Sequence, residues 1–286
     1  MNNLVLHPST KEQLLKYLAR PSQALSIIAP KGSGKFTLAI SIASELLGIS
    51  IDKINSYAYY KLITPVDNKD ISIDAIREIE HFISLRVPSK SLVHRVVLIK
   101  QADSMSTEAQ TALLKTLEEP PKGTVFILTV SSEQSLLPTI RSRASKLVVF
   151  KPSQDQLIEY FSELGFASQT IKQAISLSGG LIGLTNAILS SSEDHPLSIA
   201  VTKAKQLLSG GIFERLTQVD ELSKNKALTS DTLYIMQQMA QISLLHSNSL
   251  SEKKWAKILV ASYNAQKELS NNAQSKLVLT NLMLEI

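Results

Sequence analysis

The chain of 286 residues contains no cysteine. That excludes disulfides, thiol nucleophiles and cysteine-ligated zinc. Its single tryptophan and 5% aromatic content leave no interleaving of aromatic and basic residues of the kind that stacks single-stranded bases, and no sequence-reading motif accompanies them. The five histidines are scattered without paired ligand spacing. No apolar run approaches the length of a membrane span. The opening stretch, Met1–Gln13, lacks a charged segment followed by a long apolar core, so the reading is a cytoplasmic protein with no signal peptide and no membrane partner. No internal repeat is present.

What is there describes a folded protein: 44% hydrophobic and 19% charged residues, with a length that favours two or three domains. The net charge of +5 is uneven, because residues 1–150 carry 18 Lys and Arg against 13 Asp and Glu, whereas residues 151–286 balance at 12 each. A DNA-facing N-terminal region would produce this bias, and so would an ordinary surface imbalance.

The stretch Arg95–Phe150 organises the rest. Val96–Ile99, Val125–Val130 and Leu147–Phe150 read as buried parallel strands. Between the first two, Thr107–Leu117 reads as a helix with Ala109, Ala112, Leu113 and Leu117 on one face, stopped by Pro120 and Pro121. Strand–helix–strand predicts an α/β fold. Upstream, Thr10–Ala19 reads as a helix with Ser9 as its cap and Glu12 completing a capping box. Leu25–Ile28 and Tyr57–Ile63 read as strands. Ile76, Ile79, Ile83 and Val87 mark the buried stripe of an amphipathic helix.

A strand, a glycine loop and a helix occur together at Ala29-Pro30-Lys31-Gly32-Ser33-Gly34-Lys35-Phe36-Thr37. Such a loop curls backbone N–H groups round phosphate oxygens, with a helix N-terminus behind them and a lysine reaching the terminal phosphates. The pattern G-x-x-x-x-G-K-(S/T) is damaged. Ala29 stands for the first glycine and Phe36 for the metal-binding hydroxyl. Thr37 is one position late, about 100° round the helix. Gly32, Ser33, Gly34 and Lys35 remain as the candidate nucleotide-binding residues.

Residues Ala112-Leu113-Leu114-Lys115-Thr116-Leu117-Glu118-Glu119-Pro120-Pro121, then Leu137-Pro138-Thr139-Ile140 and Ser142-Arg143, resemble the bacterial DNA polymerase III clamp-loader AAA+ family. Ile71, Ile73, Asp74, Ile76, Arg77 and Ile79 match wording common in the same family. The resemblance implies an AAA+ P-loop α/β domain with a parallel sheet over 1–151, a small helical lid domain over 152–192 and an all-helical collar domain over 193–286. It also implies Asp-Glu after the strand Val96–Ile99, where this chain has Lys100-Gln101. A lysine opposes a divalent cation and an amide cannot serve as a general base; Asp103 is the nearest acidic partner for Lys100. A polar sensor is implied in the region Thr129, Val130, Ser131, with the register open. Leu181 and Ile182 fall where active members carry a nucleotide-reading arginine.

Leu137–Ala144 matches the family's serine–arginine–cysteine motif, with Ala144 in the cysteine's place. The resemblance assigns Arg143, with Ser142 beside it, as an arginine finger acting in trans on a neighbouring subunit's ATP; Arg141 is the second choice. A permanently charged, forked guanidinium suits a phosphoryl group. The implied protein is a non-hydrolysing, delta prime-like member of the family. Its implied partners are the gamma/tau and delta clamp-loader subunits and, through the complex, the sliding clamp and primer-template DNA. No cofactor is required, ATP or ADP at the loop is left open, and neither zinc nor another metal is expected. The alternative is an active P-loop AAA+ ATPase with an atypical metal site.

Beyond Pro152 the pattern is helical. Ser153 caps a helix to Leu164, Ser168–Leu177 follows, and a third helix opens after Gly179-Gly180. Residues 190–196 read as a linker. Helical patterns then cover Leu197–Leu208, Phe213–Leu222, Thr229–Leu245, Lys254–Leu269 and Gln274–Leu284. Met236, Met239, Leu244 and Trp255 are expected in the core of that bundle.

Overall fold

A computed structural model describes residues 4–65, 71–84, 87, 92–190, 197–245 and 249–286. The chain divides into two compact units, Met1–Pro152 and Ser153–Ile286.

The first unit contains helices α1 (Pro8–Ala19), α2 (Lys35–Leu47), α3 (Ile51–Ile54), α4 (Ile73–Ser84), α5 (Thr107–Glu118) and α6 (Pro138–Arg141). Its strands are β1 (Ala24–Ile28), β2 (Tyr60–Ile63), β3 (Arg95–Ile99), β4 (Thr124–Val130) and β5 (Ser145–Val148). They form one sheet in the order β2-β3-β4-β1-β5, and every pairing is parallel. The apolar runs behave as the α/β reading requires. All seven residues of β4 and all five of β3 are buried, because helices cover both faces of a parallel sheet. One cluster joins Ile76, Ile79, Leu113, Leu117, Phe126 and Leu128 on one face. A second joins Leu14, Leu38, Ile42, Ile27, Leu98 and Ile127 on the other.

Among the boundaries that differ from the sequence reading, three in the first unit have a local reason. Helix α1 starts at Pro8 and is capped by His7, whose Nδ1 accepts from the Ser9 N–H at 3.1 Å. Proline suits a first helical position, since the missing N–H is unused there. The last strand ends at Val148, leaving Phe150 45% exposed; Phe150 instead hands its N–H to Thr10 Oγ1 and tilts its ring against His7. The segment Tyr57–Ile63 contributes only Tyr60–Ile63 to the sheet.

The second unit is all helical. Helices α7 (Gln154–Glu163), α8 (Ser168–Ser178) and α9 (Ile182–Ser190) come first, and α7 begins with the Ser153/Gln156 capping box. Leu157, Phe161, Ile171 and Ile175 form a small core of their own. Then come α10 (Ser198–Ser209), α11 (Ile212–Thr217), α12 (Val219–Lys224), α13 (Lys226–Leu245), α14 (Ser249–Ser270) and α15 (Ser275–Glu285). Met236 and Met239 are buried in their shared core and Trp255 packs against it. The single helix expected over Phe213–Leu222 is two short ones. The Thr217 hydroxyl donates back to the Glu214 carbonyl at 2.7 Å, a bond that competes with the helical ladder. Asn272, with φ 60, makes the turn between α14 and α15. Residues 191–196 of the expected linker lie outside the described residues.

Candidate functional site

Ligands of α/β sheets bind at the carboxyl ends of the strands, and the damaged loop lies there. It leaves β1 at Ile28 and enters α2 at Lys35. Gly32 and Gly34 adopt φ of 82 and 81, a left-handed conformation that favours glycine. Gly34 is the N-cap of α2, with no side chain capping the helix, so the backbone N–H groups of its first turn are not taken up by a capping side chain. The Ser33 Oγ is buried with no hydrogen-bond partner.

Lys35 is only 8% exposed. Its ammonium donates to Ser131 Oγ at 3.5 Å, the outer limit of a hydrogen bond. Burial pulls its pKa down to about 8, with Asp103 holding it up and Lys31 adding to the fall. Asp103 follows β3, where its Oδ2 accepts from the Ser131 N–H at 3.3 Å and its Oδ1 is buried without a hydrogen bond. Thr129, at the end of β4, accepts from the Gln101 N–H at 2.9 Å. The region left open between Thr129 and Ser131 therefore serves twice: Thr129 ties β4 to the segment after β3, and Ser131 faces the loop lysine.

A divalent ion in this fold is held between the loop hydroxyl and an acid after the third strand, and the residues here do not fit one. The Lys100 ammonium sits 4.6 Å from the centroid of the Phe36 ring. An aromatic face and a cation thus lie together at the two positions where the clamp-loader resemblance implies metal-binding oxygens. Among the described residues, no group of three His, Cys, Asp or Glu is arranged to hold a metal. Gln101 has a left-handed backbone, φ 53 and ψ 53, uncommon for a side chain of its kind.

Ser142 and Arg143 form a separate feature after α6. Arg143 Nη2 donates to Glu118 Oε1 at 2.8 Å, and Nη1 to the Thr139 carbonyl at 3.0 Å. The Ser142 hydroxyl donates to the same carbonyl at 3.0 Å. Ala144 is buried where the motif would carry cysteine, and Arg141 keeps its Nε buried without a hydrogen bond.

One residue went unread in the sequence. Gln110, on the buried face of α5, donates to the carbonyls of Met105 and Ser135 and accepts from the Leu137 N–H at 2.8 Å. It fixes the approach to α6 and hence the base on which Arg143 stands. The only signal in the sequence was a polar residue between Ala109 and Leu113 on an apolar stripe.

Residues 7–154 match the family model described as DNA polymerase III, delta subunit. The DNA polymerase III subunit delta′ of Haemophilus influenzae is 32% identical over 171 residues, 55% of this chain and 52% of that protein. That of Escherichia coli is 28% identical over 200 residues, 64% of this chain and 59% of that protein. The chain thus spans between half and three fifths of the length of these relatives. In structure it is similar to a DNA polymerase III, gamma subunit-related protein of Thermotoga maritima, with a TM-score of 0.58 and 19% identity over 95% of this chain and 97% of the other. That likeness shows the AAA+ fold. With the family match covering more than half of its residues, the chain belongs to the delta prime clamp-loader family of DNA polymerase III subunits.

Proposed function

We propose that the chain works as a non-hydrolysing, delta prime-like subunit of a clamp loader. It joins gamma/tau and delta subunits in a ring, through its C-terminal helices, and presents Arg143 to the ATP of a neighbouring subunit. The complex, not this chain alone, then loads a sliding clamp on primer-template DNA. The observation that carries the reading is the Lys100–Phe36 contact at 4.6 Å. A protein cation at the metal position repels magnesium, and Gln101 beside it cannot take a proton from water. Hydrolysis must then be done by a neighbour, to which this chain contributes charge in trans. Comparable fingers are worth roughly 10³–10⁵ in rate.

The test is DNA- and clamp-stimulated ATP hydrolysis by a complex reconstituted with its ATPase and clamp-opening partners, comparing the parent chain with Arg143→Ala after assembly is verified. The expected result is intact assembly with a large loss of activity. Unchanged activity overturns the finger assignment, and failure to assemble overturns the clamp-loader reading. A second reading, an active ATPase with an atypical metal site, is favoured by the left-handed Gly32 and Gly34 and the buried Lys35. Magnesium-dependent turnover by the isolated chain would establish it.

A further inference from the structure

The Glu118–Arg143 ion pair joins two anchored elements. Glu118 is the last residue of α5, whose Leu113 and Leu117 are buried in the core. Arg143 lies between Ile140 and Ala144, also buried in that core. The two side chains themselves are 36% and 52% exposed, Arg143 first. An exposed pair ordinarily gains little, because two long side chains must be frozen to make it. Here both backbones are already fixed, and the bond from Nη1 to the Thr139 carbonyl sets the plane of the guanidinium independently of Glu118. A guanidinium has five N–H donors; these two bonds use one on each terminal nitrogen and leave the other three for an incoming group.

We infer that Glu118 is a positioning residue for Arg143: its carboxylate holds one edge of the guanidinium so that the remaining N–H groups meet a neighbouring subunit's phosphoryl oxygens in a set orientation. The role rests on the reading of Arg143 as a finger. Its physical basis is preorganisation. A side chain ordered before its target arrives loses less freedom on contact, and a guanidinium's directional donors make orientation matter more than for a lysine. Glu118 does not itself touch nucleotide.

The experiment has two arms. In the reconstituted complex, Glu118→Ala is expected to lower kcat about twofold to fivefold with KM unchanged, the range of an exposed pair. Glu118→Gln, which keeps an acceptor oxygen, loses less. Arg143→Ala loses far more, and the double variant Glu118→Ala/Arg143→Ala is no slower than Arg143→Ala alone. In the isolated chain, NMR of the Arg143 side-chain N–H groups is expected to show hindered rotation about Nε–Cζ that Glu118→Ala releases. A double variant slower than Arg143→Ala overturns the role, since Glu118 would then act by another route. A faster Glu118→Ala complex overturns it too, because the pair would be restraining the finger. Free rotation in the parent chain removes the positioning role while leaving the finger reading to stand. An inert Arg143→Ala in an intact complex ends both.

Discussion

The Lys100 ammonium stands over the Phe36 ring, 4.6 Å from its centroid. Lys100 directly follows β3 and Phe36 lies in the first turn of α2, which follows β1; β4 separates those two strands, so the contact crosses the carboxyl edge of the sheet. Both residues are half-buried, and cation–aromatic contacts run from about 0.5–1 kcal/mol when exposed to about 2 kcal/mol when desolvated. In a double-mutant cycle with Phe36→Leu and Lys100→Met, urea denaturation is expected to give a coupling energy of about 0.5–1 kcal/mol. Zero coupling would mean that the ring and the cation are merely neighbours.

Lys35 is predicted to make stability depend on pH in a defined window. Its pKa is about 8 in the folded chain against 10.5 ordinarily, because burial disfavours the charge. Between those values the unfolded chain holds more protons, so stability rises with pH. Below about 8 the cost of the buried charge is fully present. Lys35→Met is therefore expected to be more stable than the parent at pH 7, by roughly 1–3 kcal/mol. The advantage should shrink as pH climbs past 8 and vanish above 10.5. Denaturant midpoints of both proteins across that range check it.

Gln110 satisfies two carbonyls and one N–H with a single buried amide. Gln110→Leu keeps the volume and removes every bond, leaving the Leu137 N–H without its partner. The expected loss is about 1–3 kcal/mol, seen as a lower urea midpoint. The same variant should speed hydrogen exchange at Leu137 more than at Leu98 in β3, since only the former loses its acceptor.

Gly123 turns the chain into β4 with φ +72, and a Cβ there would fall 2.0 Å from the His94 ring. Its carbonyl accepts from both the His94 and Arg95 N–H groups, so the turn cannot relax without disturbing the start of β3. Gly123→Ala is expected to cost about 1–2 kcal/mol from the left-handed backbone alone, with an unchanged denaturant slope. A neutral substitution would show that the turn can take another conformation.

Two departures from expected motifs can be named from the sequence, Phe36 in the phosphate loop and Lys100 after β3, because a motif fixes which residue type stands at each position. The parallel sheet was legible because β3 and β4 are apolar throughout, as strands covered on both faces must be. How these residues pack was not legible. That Lys100 rests on Phe36 depends on the strand order, and that Gln110 braces the approach to α6 depends on how α5 packs. Ends were misread where side chains intervened: His7 rather than Ser9 caps α1, and Thr217 divides a segment whose apolar spacing alone predicts one helix. Glu118 falls within a recognisable motif, but its bond to Arg143 joins positions 25 residues apart and has no periodic trace.

The sheet order has a consequence for how the protein is made. Among the described residues, strand β1 pairs with β4 and β5. Both partners are synthesised about 100 residues later, which at ordinary translation speeds is roughly 5–20 seconds. During that interval Leu25 and Ile27, fully covered in the finished sheet, have no strand to join. The helices that cover one face of the segment are available early, but its strand pairing on both sides is complete only when the region around Val148 has emerged.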